Sequence, residues 1–196
     1  MPVSYTNWKG HTYYLCQSLT KTGKLRYYFA REPKEGSPDQ IPQGYKIRES
    51  VNGVVSLVID RPQLISPQEV ANVEAVLARH PKSRDYRVAV QKNQIVIYER
   101  LGPDAETLSD LFGEYSPLPS AVMKNRIQEQ LDKMARFSPI LRFTLVSLEE
   151  RIYKTERWSY LGDVDDWIDI GESGKVEKLA RRLIPKLGTD DFFELY

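Results

Sequence analysis

Cysteine and histidine are almost missing from this 196-residue chain, which has one Cys, Cys16, and two His, His11 and His80. No intramolecular disulfide can form, and the ligands for a structural Cys/His zinc cluster are too few. A chain without disulfides suits a reducing compartment. Long apolar runs are missing too. Nothing approaches the ~20 residues needed to span a bilayer. The opening MPVSYTNWKGHTYY lacks the apolar centre of a secretory signal. The expectation is a cytoplasmic protein with no membrane association. No internal repeat, low-complexity tract or G-x-S-x-G nucleophile elbow is present.

What the chain does contain is globular in kind, with 41% hydrophobic and 28% charged residues. A formal net charge of +1 conceals an asymmetry: residues 1–100 carry 15 Lys/Arg against 9 Asp/Glu, and residues 101–196 carry 13 against 18. The first half is basic and the second acidic. Such charges solvate a surface, and they can also select partners of opposite sign.

The densest mixture of aromatic and basic residues is TYYLCQSLTKTGKLRYYFAR, Thr12 to Arg31. Its β-branched and aromatic residues predict two strands, with Lys21-Thr22-Gly23-Lys24 as the turn. Alternation puts Leu25, Tyr27 and Phe29 on one face, read as core, and Arg26 and Tyr28 on the opposite, outward face. Lys21, Lys24, Arg26, Tyr28 and Arg31 then form a candidate surface for a polyanion. Cations neutralise phosphates and flat rings stack on bases. The plainer reading is a half-buried strand whose cations protect an exposed edge.

Further hairpins are predicted at 45–59, where Asn52-Gly53 reads as a two-residue turn, at 87–99 around Lys92-Asn93, and at 140–159 around 148–150. Ser66-Pro67-Gln68-Glu69 is a capping box opening a helix with Val70, Val73 and Leu77 on one stripe. His80-Pro81 ends that helix, and His80 reads as a cap of its C-terminus. Gly102-Pro103 marks the expected boundary between a β-rich basic module, 1–101, and a helix-rich acidic module, 102–196, the two being able to share one core. In the second module, helices are expected at 104–112, at 120–137 with Met123, Ile127, Leu131 and Met134 inward, and at 175–187. The fold class is α+β, with antiparallel hairpins and one capped helix first, then helices with one hairpin. Leu25, Tyr27, Phe29, Ile47, Val73, Leu77, Val88 and Val90 are expected to be buried together.

Chemistry is harder to find. Gly171-Glu172-Ser173-Gly174-Lys175 has Asp169 and Val176 where a phosphate loop needs glycine and a hydroxyl, so it reads as a turn into a helix. Cys16 inside a strand reads as a small buried hydrophobe rather than a nucleophile paired with histidine. Asp163, Asp165, Asp166 and Asp169 are the one local carboxylate cluster. If helical, the last three would lie within one turn and could hold a divalent ion; the commoner use is capping a helix N-terminus, with Asp163 as the cap. No zinc finger, helix-turn-helix or RRM pattern is legible. The sequence therefore favours a non-enzymatic binding protein with no cofactor, using the N-terminal sheet to hold nucleic acid or an acidic protein. The alternatives are an enzyme using a divalent ion at Asp163–Asp169 and a protein–protein adaptor whose acidic half meets a basic partner.

Overall fold

A computed structural model of the chain describes residues 1–113, 120–160 and 165–194. The fold is α+β with antiparallel hairpins. In chain order the strands are β1 Ser4–Thr6, β2 Thr12–Leu19, β3 Leu25–Ala30, β4 Tyr45–Glu49, β5 Val55–Ile59, β6 Tyr86–Gln91, β7 Gln94–Leu101, β8 Arg136–Ser147, β9 Ile152–Tyr160 and β10 Asp165–Gly174. The helices are α1 Pro67–Leu77, α2 Ala105–Gly113, α3 Ser120–Met134, α4 Val176–Leu183 and α5 Asp190–Phe193. No helix among the described residues is long and apolar enough to cross a membrane.

The chain divides into two compact units that interleave along the sequence: Met1–Arg61 with Gly102–Arg136, and Pro62–Leu101 with Phe137–Tyr196. Gly102 is one of the points where the chain passes between them, whereas the sequence predicts two consecutive modules meeting there.

The first unit holds the three-stranded sheet β1-β2-β3, the β4-β5 hairpin and helices α2 and α3. Three of its turns share one design. In Asn7–Gly10, Thr20–Gly23 and Ser50–Gly53 the glycine N–H donates to the first carbonyl at 2.8, 2.9 and 2.9 Å. The first N–H in turn donates to the carbonyl one residue past the glycine. Each glycine sits at φ between +75° and +79°, which a side chain would oppose. Asn52 does not share the positive φ, so the turn at Asn52-Gly53 is a bulged type rather than the expected two-residue one.

Side-chain polar bonds then lock the Asn7–Gly10 and Ser50–Gly53 turns together. Buried Asn7 accepts from the N–H groups of Lys9 and His11 at 3.1 and 2.8 Å and donates to Gly53 O at 2.7 Å. Glu49 accepts from Tyr5 Oη and Trp8 N, each at 2.8 Å.

The second unit is built on a five-stranded sheet, β10-β9-β8-β7-β6. Here lies the main core: Val73 and Leu77 of α1, Leu179, Ala180 and Leu183 of α4, Ile95, Ile97, Leu141, Phe143 and Tyr153 of the sheet, and Phe192 of α5. The capping box forms as predicted. Ser66 Oγ accepts from Glu69 N at 3.3 Å, and Glu69 Oε2 accepts from Ser66 N at 2.8 Å. A short 3-10 turn, Ile184–Lys186, carries Pro185 and follows α4.

The predicted common core divides between the units. Val73 and Leu77 are buried in the second, with Val88 and Val90 packed against the cluster. Tyr27, Phe29 and Ile47, in the first, are half-buried, and Leu25 is exposed. Tyr27 is met edge-on by the Tyr45 ring of the β4-β5 hairpin at 5.9 Å, whereas Leu25 is 50% exposed. Met134 is 74% exposed because α3 ends there and the chain turns into β8.

Candidate nucleic-acid interface

The β2–β3 ladder pairs Cys16 with Tyr28, Gln17 with Tyr27, Ser18 with Arg26 and Leu19 with Leu25. Opposite residues share a face, so Arg26 and Tyr28 lie beside Ser18 and Cys16. That face is not open along its length. Cys16 is fully buried, with Sγ within 3.6 Å of Ser37 Oγ and 3.8 Å of Glu32 O, so the segment after β3 covers this end. Tyr28 is half-buried there, and Lys34 Nζ lies 5.4 Å from its ring centroid.

Arg31 stands apart from the other predicted cations. Its guanidinium lies 4.5 Å from the ring centroid of Tyr13, at the base of the hairpin. Lys21, Lys24 and Arg26 cluster at the tip and are exposed. The five residues Lys21, Lys24, Arg26, Tyr28 and Arg31 therefore make a tip group of three, a covered ring and a basal cation, rather than one continuous surface.

Two properties set the tip apart. Every residue from Gln17 to Arg26 is exposed, on both faces of the ladder. The hairpin from Thr12 to Arg31 contains four cations and no carboxylate, and none of the four forms a salt bridge among the described residues. Leu19 and Leu25, paired across the ladder, are 71% and 50% exposed. The turn is ordered by Thr20 N to Lys24 O at 2.8 Å and Lys24 N to Thr20 Oγ1 at 3.1 Å.

The acidic cluster has a different geometry from the one expected. Asp163 lies outside the described residues. Asp165, Asp166 and Asp169 belong to strand β10, not to a helix. Trp167, Ile168 and Ile170 favour a strand, and pairing Trp167 with Trp158 across β9 fixes it. Alternation turns Asp166 away from Asp165 and Asp169, and the latter two are four residues apart, roughly 13 Å along a strand. Asp166 Oδ1 accepts from Trp167 N and Asp169 Oδ1 from Gly171 N, at 2.7 and 2.8 Å. Among the described residues no three His, Cys, Asp or Glu side chains converge to hold a metal ion. Gly171 to Gly174 continue the strand past a bulge, and Lys175 Nζ donates to Glu150 O.

His80 follows α1, its backbone N–H donating to Leu77 O at 2.9 Å. Its Nδ1 lies 3.1 Å from Lys82 N and its Nε2 3.2 Å from Leu187 O. The ring also meets Tyr86 edge-on at 5.1 Å.

Sequence reasoning missed the ionic networks of the second unit. Arg142 donates twice to Glu156 at 2.6 and 2.7 Å, and Thr144 Oγ1 and Lys154 Nζ each donate at 3.0 Å. The hydrogen bonds from Arg142 lower the Glu156 pKa to about 2 against the opposing effect of burial, with Lys154 and Thr144 adding to the lowering. The Arg142 guanidinium also stacks 4.3 Å from the Trp167 ring centroid. At Glu69 burial opposes ionisation, but bonds from Arg151, Ser66 and Tyr153 together outweigh it and lower the pKa to about 2. Arg142 alternates with Leu141 and Phe143, and Glu156 lies opposite it on a strand predicted to pair, which was the available signal. Each of these carboxylates accepts four hydrogen bonds, which tie the sheet together at Glu156 and fix the α1 cap at Glu69. Arg157, opposite Leu141, is 8% exposed with no hydrogen-bond partner at Nε among the described residues.

No protein family, curated protein or solved structure matches this chain.

Proposed function

We propose that this chain is a non-enzymatic binding protein that holds nucleic acid through the β2–β3 hairpin. One observation carries the reading: a hairpin with an exposed tip, four cations, no carboxylate and, among the described residues, no salt bridge to neutralise them. Cations on an exposed element release condensed counterions when they meet phosphates. The cytoplasmic setting expected from the sequence belongs to the same reading.

A second reading has its own observation. The exposed Leu19–Leu25 pair beside Lys21, Lys24 and Arg26 also suits an acidic protein partner with an apolar residue to bury.

Fluorescence anisotropy with labelled oligonucleotides at two salt concentrations tests the first reading, and poly-glutamate as competitor addresses the second. Binding is expected at low salt and is expected to fall steeply as salt rises. Absence of binding at low salt, where attraction is strongest, overturns the nucleic-acid reading.

A further inference from the structure

We infer that the hairpin tip enters the groove of a B-form DNA duplex as a two-stranded ribbon. This rests on the nucleic-acid reading and specifies its mode. The starting point is the uninterrupted exposure of Gln17 to Arg26. Gln17, Leu19 and Leu25 occupy one face of the ladder and Ser18 and Arg26 the other, so exposure of all five means that the arm has solvent on both sides.

Its dimensions match a major groove. The ladder pairs Gln17–Tyr27, Ser18–Arg26 and Leu19–Leu25 rise about 7 Å at the usual strand spacing, and the turn adds a few Å. The sum, about 10 Å, compares with a groove roughly 8.5 Å deep. Strands about 4.8 Å apart leave room for side chains inside a groove about 12 Å wide.

The chemistry of the arm fits as well. Lys21 lies within the turn and Lys24 directly after it, where they reach acceptors on base edges, N7 and O6 of guanine being the strongest. Arg26, farther down one face, meets phosphates at the groove wall. Leu19 and Leu25 offer apolar contact to thymine methyl groups. Backbone bonds across Thr20, Gly23 and Lys24 hold the tip in one conformation before binding, which reduces the entropy cost of association.

Stacking on single strands has less support. The rings that would receive bases are already engaged: Tyr13 beneath Arg31, Tyr28 beneath Lys34 and Tyr27 against Tyr45. Duplex RNA is disfavoured because the A-form major groove is too deep and narrow to admit the arm.

The test uses the whole chain in anisotropy titrations against a labelled duplex DNA, its single strand, and an RNA duplex of the same sequence. Duplex DNA is expected to bind at least about tenfold tighter than either competitor. The Lys21→Ala/Lys24→Ala variant is expected to bind duplex DNA at least about tenfold more weakly, and its salt slope to be shallower by about 0.9 for each phosphate it no longer neutralises. An unchanged melting curve shows that the variant is folded, since both side chains are exposed. Single-strand or RNA affinity equal to that for duplex DNA overturns the groove mode and leaves the nucleic-acid reading standing. Duplex affinity unchanged in the variant overturns the role of the tip. No binding to any of the three at low salt overturns both proposals.

Discussion

The two units solve the same folding problem by different means. In the second, a five-stranded sheet and two amphipathic helices enclose a contiguous apolar cluster, and all of that cluster's residues come from 62–101 and 137–196. In the first, small sheets leave much apolar surface half-covered, and order comes from glycine turns, from Asn7 and from Glu49. Hydrophobic burial stabilises in proportion to area, whereas a polar lock stabilises only while each of its bonds is made. A unit held by locks can therefore extend a bare arm such as Gln17–Arg26, because its stability does not require that arm to be covered.

The largest effect expected from this contrast is in the cluster. Phe143→Ala removes a fully buried ring between strands and is expected to cost about 3–5 kcal/mol, through forfeited transfer energy and an unfilled cavity. The half-buried Phe29 in the first unit is expected to cost clearly less on the same substitution. Urea unfolding followed by circular dichroism compares the two; equal losses would remove the distinction between a packed unit and a locked one.

Acid is expected to act on the second unit next. Glu69 and Glu156 have folded pKa values of about 2, below their ordinary value of 4.5. A depressed carboxylate pKa gives stability that is complete above the unfolded value and lost as pH falls through the folded one. The window is therefore roughly pH 4.5 down to 2. The contribution at neutral pH is on the order of 3 kcal/mol for each group. Melting temperature against pH should drop across that window. Glu156→Gln should shallow the drop, and a drop of unchanged steepness would separate Glu156 from acid stability.

How much of this was legible depended on whether a signal was local. The capping box at Ser66 and Glu69 and the stripe of Val73 and Leu77 could be read because both are written within one helix. Alternation likewise placed hairpins at 87–99 and 140–159, which the structure extends to 86–101 and 136–160. Strand β10 was not legible: the run Asp165-Asp166-Trp167-Ile168-Asp169 has too many acids to read as a strand, and pairing with β9 overrides that composition. Leu25 was misplaced because alternation assigns a face but not what covers it. The five candidate interface residues were local enough to find, yet their division between tip and base required the register and the covering segment at Glu32 and Ser37. The interleaving of the two units was beyond local pattern altogether, since it depends on where distant segments meet.

The lock in the first unit predicts an intermediate effect. Asn7→Ala removes three hydrogen bonds, one of them the buried bond to the Gly53 carbonyl, at an expected cost of about 1–3 kcal/mol. Gly53→Ala attacks the same lock from the other side: a Cβ there would lie 2.9 Å from Asn7 Nδ2, on a backbone at φ +76°. The two substitutions disturb the same bonds, so the double variant should be destabilised by less than the sum of the singles. Strict additivity in a double-mutant cycle would mean that Asn7 and Gly53 do not act together.

The smallest stability effect belongs to the arm. Leu19→Ser and Leu25→Ser replace side chains that are 71% and 50% exposed and paired with each other across the ladder. Little transfer energy is forfeited when an exposed apolar group is replaced, and surface changes of this kind usually fall within about 0.5 kcal/mol. The double variant should therefore unfold at nearly the wild-type urea midpoint. If the midpoint instead falls by as much as it does for Asn7→Ala, the two leucines are part of the unit's packing, and the arm is not the free element that the binding proposals require. A near-unchanged midpoint with weakened binding to duplex DNA would separate what the arm does for stability from what it does for recognition, because the same two side chains would then matter only when a partner is present.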